Sequence, residues 1–308
     1  MSRTLLQLIQ QAYSEVGLTA PAQVVGAADD QSLQTLALAQ RESKEFSTLA
    51  NGNGGWQRLH KQYTFRTEVL TLTGNTTAGS AVITGISSTS GITANTWGAS
   101  ANGLDTSAIV ASVDSATQVT LDTTFSETQT GVTIYFGQKA YSLPSDFDYF
   151  VYQTFWDGAY RWELLGPITA QEKQILKYGI IASGPRRKFY IRDNKMWLDP
   201  TPTTDYELIA YDYYSKSFCQ SSGGTDQTLW TADTDVYLLD EECFIQGMKW
   251  CILRAKGMDY AQEKVDYDNV CARVLNRDGG SRSLPLASGT YGARFLSTDN
   301  IPETNYGQ

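Results

Sequence analysis

Val69-Leu70-Thr71-Leu72-Thr73-Gly74-Asn75-Thr76-Thr77-Ala78-Gly79-Ser80-Ala81-Val82-Ile83-Thr84 is the stretch on which the reading of the fold turns. Apolar and β-branched residues alternate with Thr and Ser, and Gly74-Asn75 divides the run, the pattern of short half-buried strands joined by turns. The pattern returns at Ser107 to Val113, Gln118 to Leu121 and Gly131 to Phe136, with turn residues such as Ala101-Asn102-Gly103 between them. From Thr67 to Gln138 the chain contains no Lys, Arg or Pro. Several short strands at this spacing predict a small β-sandwich over residues 67–138. Basic residues resume at Lys139, so the sandwich reads as an insert within a host domain.

Upstream, residues 3 to 17 carry Leu5, Leu6, Ile9, Ala12, Tyr13 and Val16 at helical spacing, and Gly17 ends the run. A second helix is expected from Asp29-Asp30, whose carboxylates suit the positive end of a helix dipole. Leu33, Leu36, Ala37, Phe46, Leu49 and Ala50 would face inward, and Asn51-Gly52-Asn53-Gly54-Gly55 stops the helix. Trp56 to Arg66 then reads as a turn entering a strand. Neither helix has a partner nearby in the chain, so both need another helix to pack on.

Downstream, Thr169-Ala170-Gln171-Glu172 is a capping box that starts a short helix reaching about Tyr178. Lys188 to Arg192 and Lys195 to Asp199 flank Asp193-Asn194, a two-residue hairpin turn. Tyr206 to Tyr214 is a further strand, and Cys219 to Asp226 reads as a loop. Asp240 is a good N-cap for a long helical region, with Glu241 and Glu242 in its first turn. Its inward stripe is Phe244, Met248, Cys251, Ile252, Ala255 and Met258, continued by Val265, Ala272 and Leu275. Gly247 and Gly257 each weaken a helix by roughly 1 kcal/mol relative to Ala, and a kink or break is expected near Gly257. Gly280 to Gln308 shows no periodicity and has few apolar side chains to offset the backbone entropy of ordering it. This arm is expected to order only against a neighbouring chain.

The expected fold class is therefore α+β, with four parts. A helical bundle (1–55 with 240–279) and a mixed β-domain (56–66 with 139–239) form the host, residues 1–66 and 139–279. The sandwich (67–138) is inserted, and residues 280–308 form an extended C-terminal arm.

Composition narrows the function. The formal net charge of −9 and a sequence pI of about 4.7 argue against tight sequence-independent nucleic-acid binding, which depends on cations displacing counterions from phosphates. An acidic chain suits the lining of a conduit along which DNA slides. The 18 Tyr, 7 Trp and 11 Phe fit either surfaces buried later against a partner or a Tyr-rich β-core. Cys219, Cys243, Cys251 and Cys271 lack CxxC or metal-ligand spacing and read as small buried hydrophobes. The N-terminus has no signal-peptide core, and no apolar run approaches the roughly 20 residues needed to span a bilayer, so synthesis in a cytoplasm and no membrane partner are expected.

Catalytic chemistry finds no foothold. His60 is the only histidine and has no acid or nucleophile close in sequence. Asp146 and Asp148 straddle Phe147, where solvated or capping roles suit them better than acid catalysis. The acidic residues show no calcium-loop spacing, and Gly52 to Gly55 follows a helix and lacks the phosphate-loop pattern. No cofactor or metal is expected. Arg186-Arg187-Lys188, with Lys195 across the hairpin, is the one basic cluster, a solvated turn or a face for phosphates or an acidic partner.

The order of parts carries a resemblance: two N-terminal helices ending in Gly54-Gly55-Trp56, the strand Tyr63-Thr64-Phe65, then Tyr141-Ser142-Leu143-Pro144-Ser145-Asp146-Phe147. Leu165-Gly166-Pro167-Ile168-Thr169, a hairpin closing on Leu198-Asp199-Pro200-Thr201-Pro202, a C-terminal helix and a long tail follow. Over residues 1–66 and 139–308 this resembles the adaptor proteins of the tailed-bacteriophage head-to-tail connector, similar to the tail tubular (gatekeeper A) proteins of short-tailed phages. The insert is similar to Ig-like modules of phage structural proteins; basic adaptors lack it. The resemblance implies a virion protein at the head-tail junction, not an enzyme, in a dodecameric ring that joins the portal protein to the next tail component, a nozzle or tail tube protein. The ring would surround the channel for DNA ejection without binding DNA specifically, and the insert would reach a tail fibre or the capsid. Along the C-terminal arm, Leu284, Leu286, Tyr291, Arg294, Phe295 and Ile301 are the residues expected to bind the portal or a neighbouring subunit, since aromatics and Arg dominate binding hot spots. The rival readings are a receptor-binding or capsid-decoration protein using the insert, in which Trp97 is the only indole, and a cell-wall hydrolase.

Overall fold

A computed structural model describes residues 2–49, 55–105, 108–159, 161–178 and 187–278. Helix α1 (Leu5–Val16) starts where Thr4 Oγ1 accepts the Gln7 N–H and the Gln7 side chain accepts the Thr4 N–H. It ends at Gly17, whose φ of 76° is the left-handed conformation a helix C-terminus favours in glycine. Helix α2 (Asp30–Ser47) is capped by Asp29, which accepts from Ser32 N at 2.9 Å. A single 3-10 turn (Gln57–Leu59) leads into β1 (His60–Arg66).

Six strands follow: β2 (Val69–Thr76), β3 (Val82–Ile83), β4 (Trp97–Ser100), β5 (Val110–Ser115), β6 (Gln118–Leu121) and β7 (Gln129–Gln138). They form two antiparallel three-stranded sheets, ordered β2-β7-β4 and β3-β6-β5. Ile83, Val110, Val119 and Leu121 from one sheet and Trp97, Ala99, Ile134 and Phe136 from the other close a single core. The two-layer sandwich of the sequence reading is present. Strand β4 is the one it lacked, because Trp97-Gly98-Ala99-Ser100 carries only one large side chain and shows no alternation.

The chain continues through β8 (Ala140–Ser142), β9 (Phe147–Phe150), β10 (Trp156–Asp157), β11 (Trp162–Glu163), α3 (Ala170–Tyr178), β12 (Lys188–Arg192), β13 (Lys195–Asp199) and β14 (Leu208–Ser215). The capping box of α3 is in place, with Thr169 N–H donating to Glu172 Oε2 and Glu172 N–H to Thr169 Oγ1. Asp193 and Asn194 take φ of 53° and 54°, the paired left-handed geometry of a two-residue hairpin turn. A five-stranded sheet (β1-β14-β10-β11, with β9 also on β14) and a three-stranded one (β12-β13-β8) share a core that includes Phe155, Phe189, Met196, Leu198, Ile209 and Tyr211.

Residues 219–226 depart from the loop reading: β15 (Cys219–Gln220) and β16 (Asp226–Gln227) pair, and β17 (Val236–Tyr237) lies on the other side of β15. These strands are two residues long and are held by tertiary contacts, too short for any pattern to show.

Helix α4 (Glu241–Ala255), capped by Asp240, is the hub of the bundle and packs on α1, α2 and α5 (Ala261–Asp278). Gly257, at φ 71°, makes the break between α4 and α5. The break resets the helical phase, so Met258, Val265 and Ala272 face solvent and Tyr267 and Cys271 turn inward instead.

The inward face of α2 also needs correction. Ser32, Thr35, Ala39, Glu42, Ser43 and Phe46 are buried, whereas Leu33, Ala37 and Leu49 are exposed and Leu36 is half-buried; Ala50 lies outside the described residues. The buried hydroxyls have partners: Ser32 Oγ donates to Gln23 O (2.8 Å), the Thr35 and Tyr13 hydroxyls meet at 2.6 Å, and Ser43 Oγ accepts from Trp230 Nε1 at 3.1 Å. Satisfied in this way, polar side chains can form a docking face, and apolar periodicity misreads it.

Candidate interaction surface

The five-stranded sheet buries one face and presents the other. Along β14, Ile209, Tyr211 and Tyr213 are buried, while Leu208, Ala210 and Asp212 alternate to the opposite side. Register places Arg66 beside Leu208, Thr64 and Trp156 beside Ala210, and Gln62 beside Asp212. Strand β1 has no second partner among the described residues. At one corner of this face Tyr206 is 72% exposed, Trp156 39% and Leu208 37%. Arg66 Nη1 donates to Tyr206 O at 2.9 Å and ties that tyrosine to the corner. Trp162, which pairs with Asp157 across β10 and β11, is also exposed, as is Tyr152. Large apolar side chains in water, with Arg, Gln and Glu around them, form the kind of surface proteins use to bind one another. Tyr211 and Tyr213 lie in the core, and Tyr152 and Tyr206 at the surface.

His60, Asp146 and Arg187, all singled out from the sequence, each meet charged partners in the fold. His60 does acquire an acid: its Nε2 lies 3.3 Å from Asp212 Oδ2, brought across the β1–β14 ladder, and its ring is 5.4 Å from that of Tyr214. The pair sits on the solvent face of the sheet.

Asp146, the acid of the Tyr-Ser-Leu-Pro-Ser-Asp-Phe motif, is a brace. Its carboxylate accepts from Lys61 Nζ at 2.7 Å, Tyr213 Oη at 2.9 Å and Ser215 Oγ at 2.7 Å, and Lys61 also reaches Asp226 at 2.6 Å. Partial burial pushes its pKa up, but the bonds from Lys61, Ser215 and Tyr213 outweigh this and hold it below the ordinary carboxylate value. Asp148 is exposed.

The basic cluster is neither a solvated turn nor a phosphate face at its centre. Arg187, half-buried, lies between the buried Asp157 (Nη1 to Oδ2, 3.2 Å) and Glu207 (Nη2 to Oε2, 2.5 Å). Those acids lie 30 and 20 positions away, beyond the reach of local reading; Arg186 falls outside the described residues.

All four cysteines are buried and unpaired, and burial raises Cys219 and Cys251 to about 12. Among the described residues no group of three or more His, Cys, Asp and Glu side chains is placed to hold a metal ion, and no helix is long and apolar enough to cross a membrane. Trp97 belongs to the core of the insert at 6% exposure. Leu284, Leu286, Tyr291, Arg294, Phe295 and Ile301 lie outside the described residues. No protein-family model matches the chain, and no curated protein sequence matches it.

Proposed function

We propose that this chain is an adaptor subunit of a tailed-bacteriophage head-to-tail connector, a ring component that joins the portal to the tail around the DNA channel. The observation that carries the reading is the aromatic corner of the five-stranded sheet, where Tyr206, Trp156 and Leu208 stay in water and, among the described residues, the edge strand β1 has no second partner. Such side chains gain their apolar free energy only when a partner covers them, roughly 25 cal/mol per Å² buried. The order of parts adds support: a bundle made from both ends of the chain, a β-domain that holds the Asp146 motif, and an inserted sandwich. The acidic balance fits a conduit for DNA better than a site that grips it. The receptor-binding alternative loses the one indole of the insert, because Trp97 is packed inside it.

Mixing the purified chain with portal rings and imaging the particles tests the proposal. Ring-on-ring complexes with the symmetry of the portal are expected. Removal of residues 281–308 should abolish docking while leaving the subunit folded. Stable portal complexes formed by the truncated chain would refute the role given to the arm, and absence of any complex with the full chain would refute the adaptor reading.

A further inference from the structure

Where the insert meets the host there is a cavity of about 220 Å³ that the adaptor reading does not use. Its wall comes from three sources: Asn95, Ile109, Ala111 and Asp122 of the insert, Lys173 and Lys177 of α3, and Tyr190, Arg192 and Asp199 of the β12–β13 hairpin. Three cations thus converge on one small space in a chain of formal net charge −9.

The acids in the wall are already engaged. Asp122 accepts from Lys177 Nζ and, at 2.8 Å, from Ile109 N–H. Asp199 accepts from the buried Lys139 Nζ at 2.8 Å, behind the wall. That leaves two cations without a carboxylate inside the cavity. Lys173 Nζ lies 4.5 Å from the centre of the Tyr190 ring and, among the described residues, has no acid within ion-pair distance. Arg192 lies 4.5 Å from the Trp197 ring and pairs only with the exposed Asp193 next to it. The two rings stack at 5.8 Å with 12° between their planes, so the aromatic pair positions both cations. Burial, and after it the charges of Arg192, Lys177 and Lys139, lowers the pKa of Lys173, while Asp199 acts the other way.

We propose that this cavity is a binding site for a small phosphate-type oxyanion, held by Lys173 of α3 and Arg192 of the hairpin. Arg and Lys donors suit such a group, because bonds between ionised partners are stronger than neutral ones. At about 30 Å³ per water the space equals roughly seven waters, enough for a phosphate group with part of its hydration shell and far too small for a duplex. Contacts from a helix and a hairpin to one anion would make its binding stabilise the arrangement of the two.

The test is a titration of the full chain with potassium phosphate, read by amide chemical shifts, with potassium chloride adjusted to keep ionic strength constant. Saturable shifts around Ala111, Asp122, Lys173 and Arg192 are expected, with a Kd in the millimolar range, and phosphate should raise the unfolding temperature above that in chloride. Lys173→Gln and Arg192→Gln should each weaken binding roughly tenfold or more, the scale of one charge-assisted bond. Lys173→Arg should retain binding, and Lys216→Gln, at an exposed site elsewhere, should change nothing. Either glutamine variant that keeps the native unfolding temperature in chloride serves the purpose, so misfolding of one leaves the test intact. Linear shifts without saturation, equal affinity in the glutamine variants, or tighter binding of a short oligonucleotide than of phosphate would each overturn the assignment.

Discussion

Replacing Gly247 with Ala sets two effects of known size against each other. Gly247 lies in the middle of α4, where Ala is the better helix former by roughly 1 kcal/mol, and from propensity alone the substitution should stabilise the bundle. The structure predicts the reverse. A Cβ at this position would lie 2.6 Å from Cδ and 2.8 Å from Cγ of Glu42, and closer still to Oε1. Carbon atoms at rest stay roughly 3.5–4.0 Å apart, so the Glu42 side chain would have to retreat by about 1 Å. It has little room, since Glu42 is 1% exposed and its other oxygen accepts from Cys251 Sγ at 3.5 Å. Overpacking of this kind costs typically 1–3 kcal/mol, and weakening the bonds of a buried carboxylate about as much again. After the propensity gain, Gly247→Ala should lose roughly 1–5 kcal/mol of stability. Urea denaturation followed by circular dichroism measures it. The same substitution in a Glu42→Ala background removes the clash and should be neutral or stabilising by up to about 1 kcal/mol. An equal effect of Gly247→Ala in both backgrounds would falsify the account, because it would show that α2 does not limit the space at Gly247.

Burial raises the pKa of Glu42, so the folded state favours its neutral form. The stability this confers is present below the unfolded glutamate value and is lost as pH rises through the folded one, so Glu42→Gln should gain on the native chain as the solution is taken from acid to neutral. Asp146 has the opposite sign: its lowered pKa gives stability above the unfolded aspartate value that disappears as pH falls through the folded one, and Asp146→Asn should flatten that acid limb in unfolding curves. Lys139 and Asp199 form a buried pair at 2.8 Å, and Lys139→Met, which leaves the carboxylate alone, should cost about 3–5 kcal/mol in the same denaturation assay. Thiol labelling of the folded chain should be slow at all four cysteines. Cys271 should react first, because the bond from Cys243 lowers its pKa while burial holds Cys219 and Cys251 at about 12.

Sequence alone determined the parts whose physics is local. Thr4 and Gly17 bound α1, Thr169 and Glu172 start α3, Asp193-Asn194 turns the hairpin, and Gly257 divides α4 from α5, because each choice rests on a cap or a left-handed residue within four positions. The strands of the insert were legible for the same reason, with alternation over four or more residues marking every long one. Only the tertiary structure decided what faces what. Ser32, Glu42 and Ser43 form the inner face of α2 because Gln23, Cys251 and Trp230 meet them there, and Arg187 is half-buried because Asp157 and Glu207 reach it from distant parts of the chain. His60 gained Asp212, Lys61 gained Asp146 and Asp226, and Lys173 came to face a cavity walled by the insert, all through pairings that span 85 to 165 positions for Lys61 and 152 for His60. A polar or charged side chain carries no mark of its eventual partner, since its cost or benefit on burial depends on a group that folding alone brings within about 3 Å.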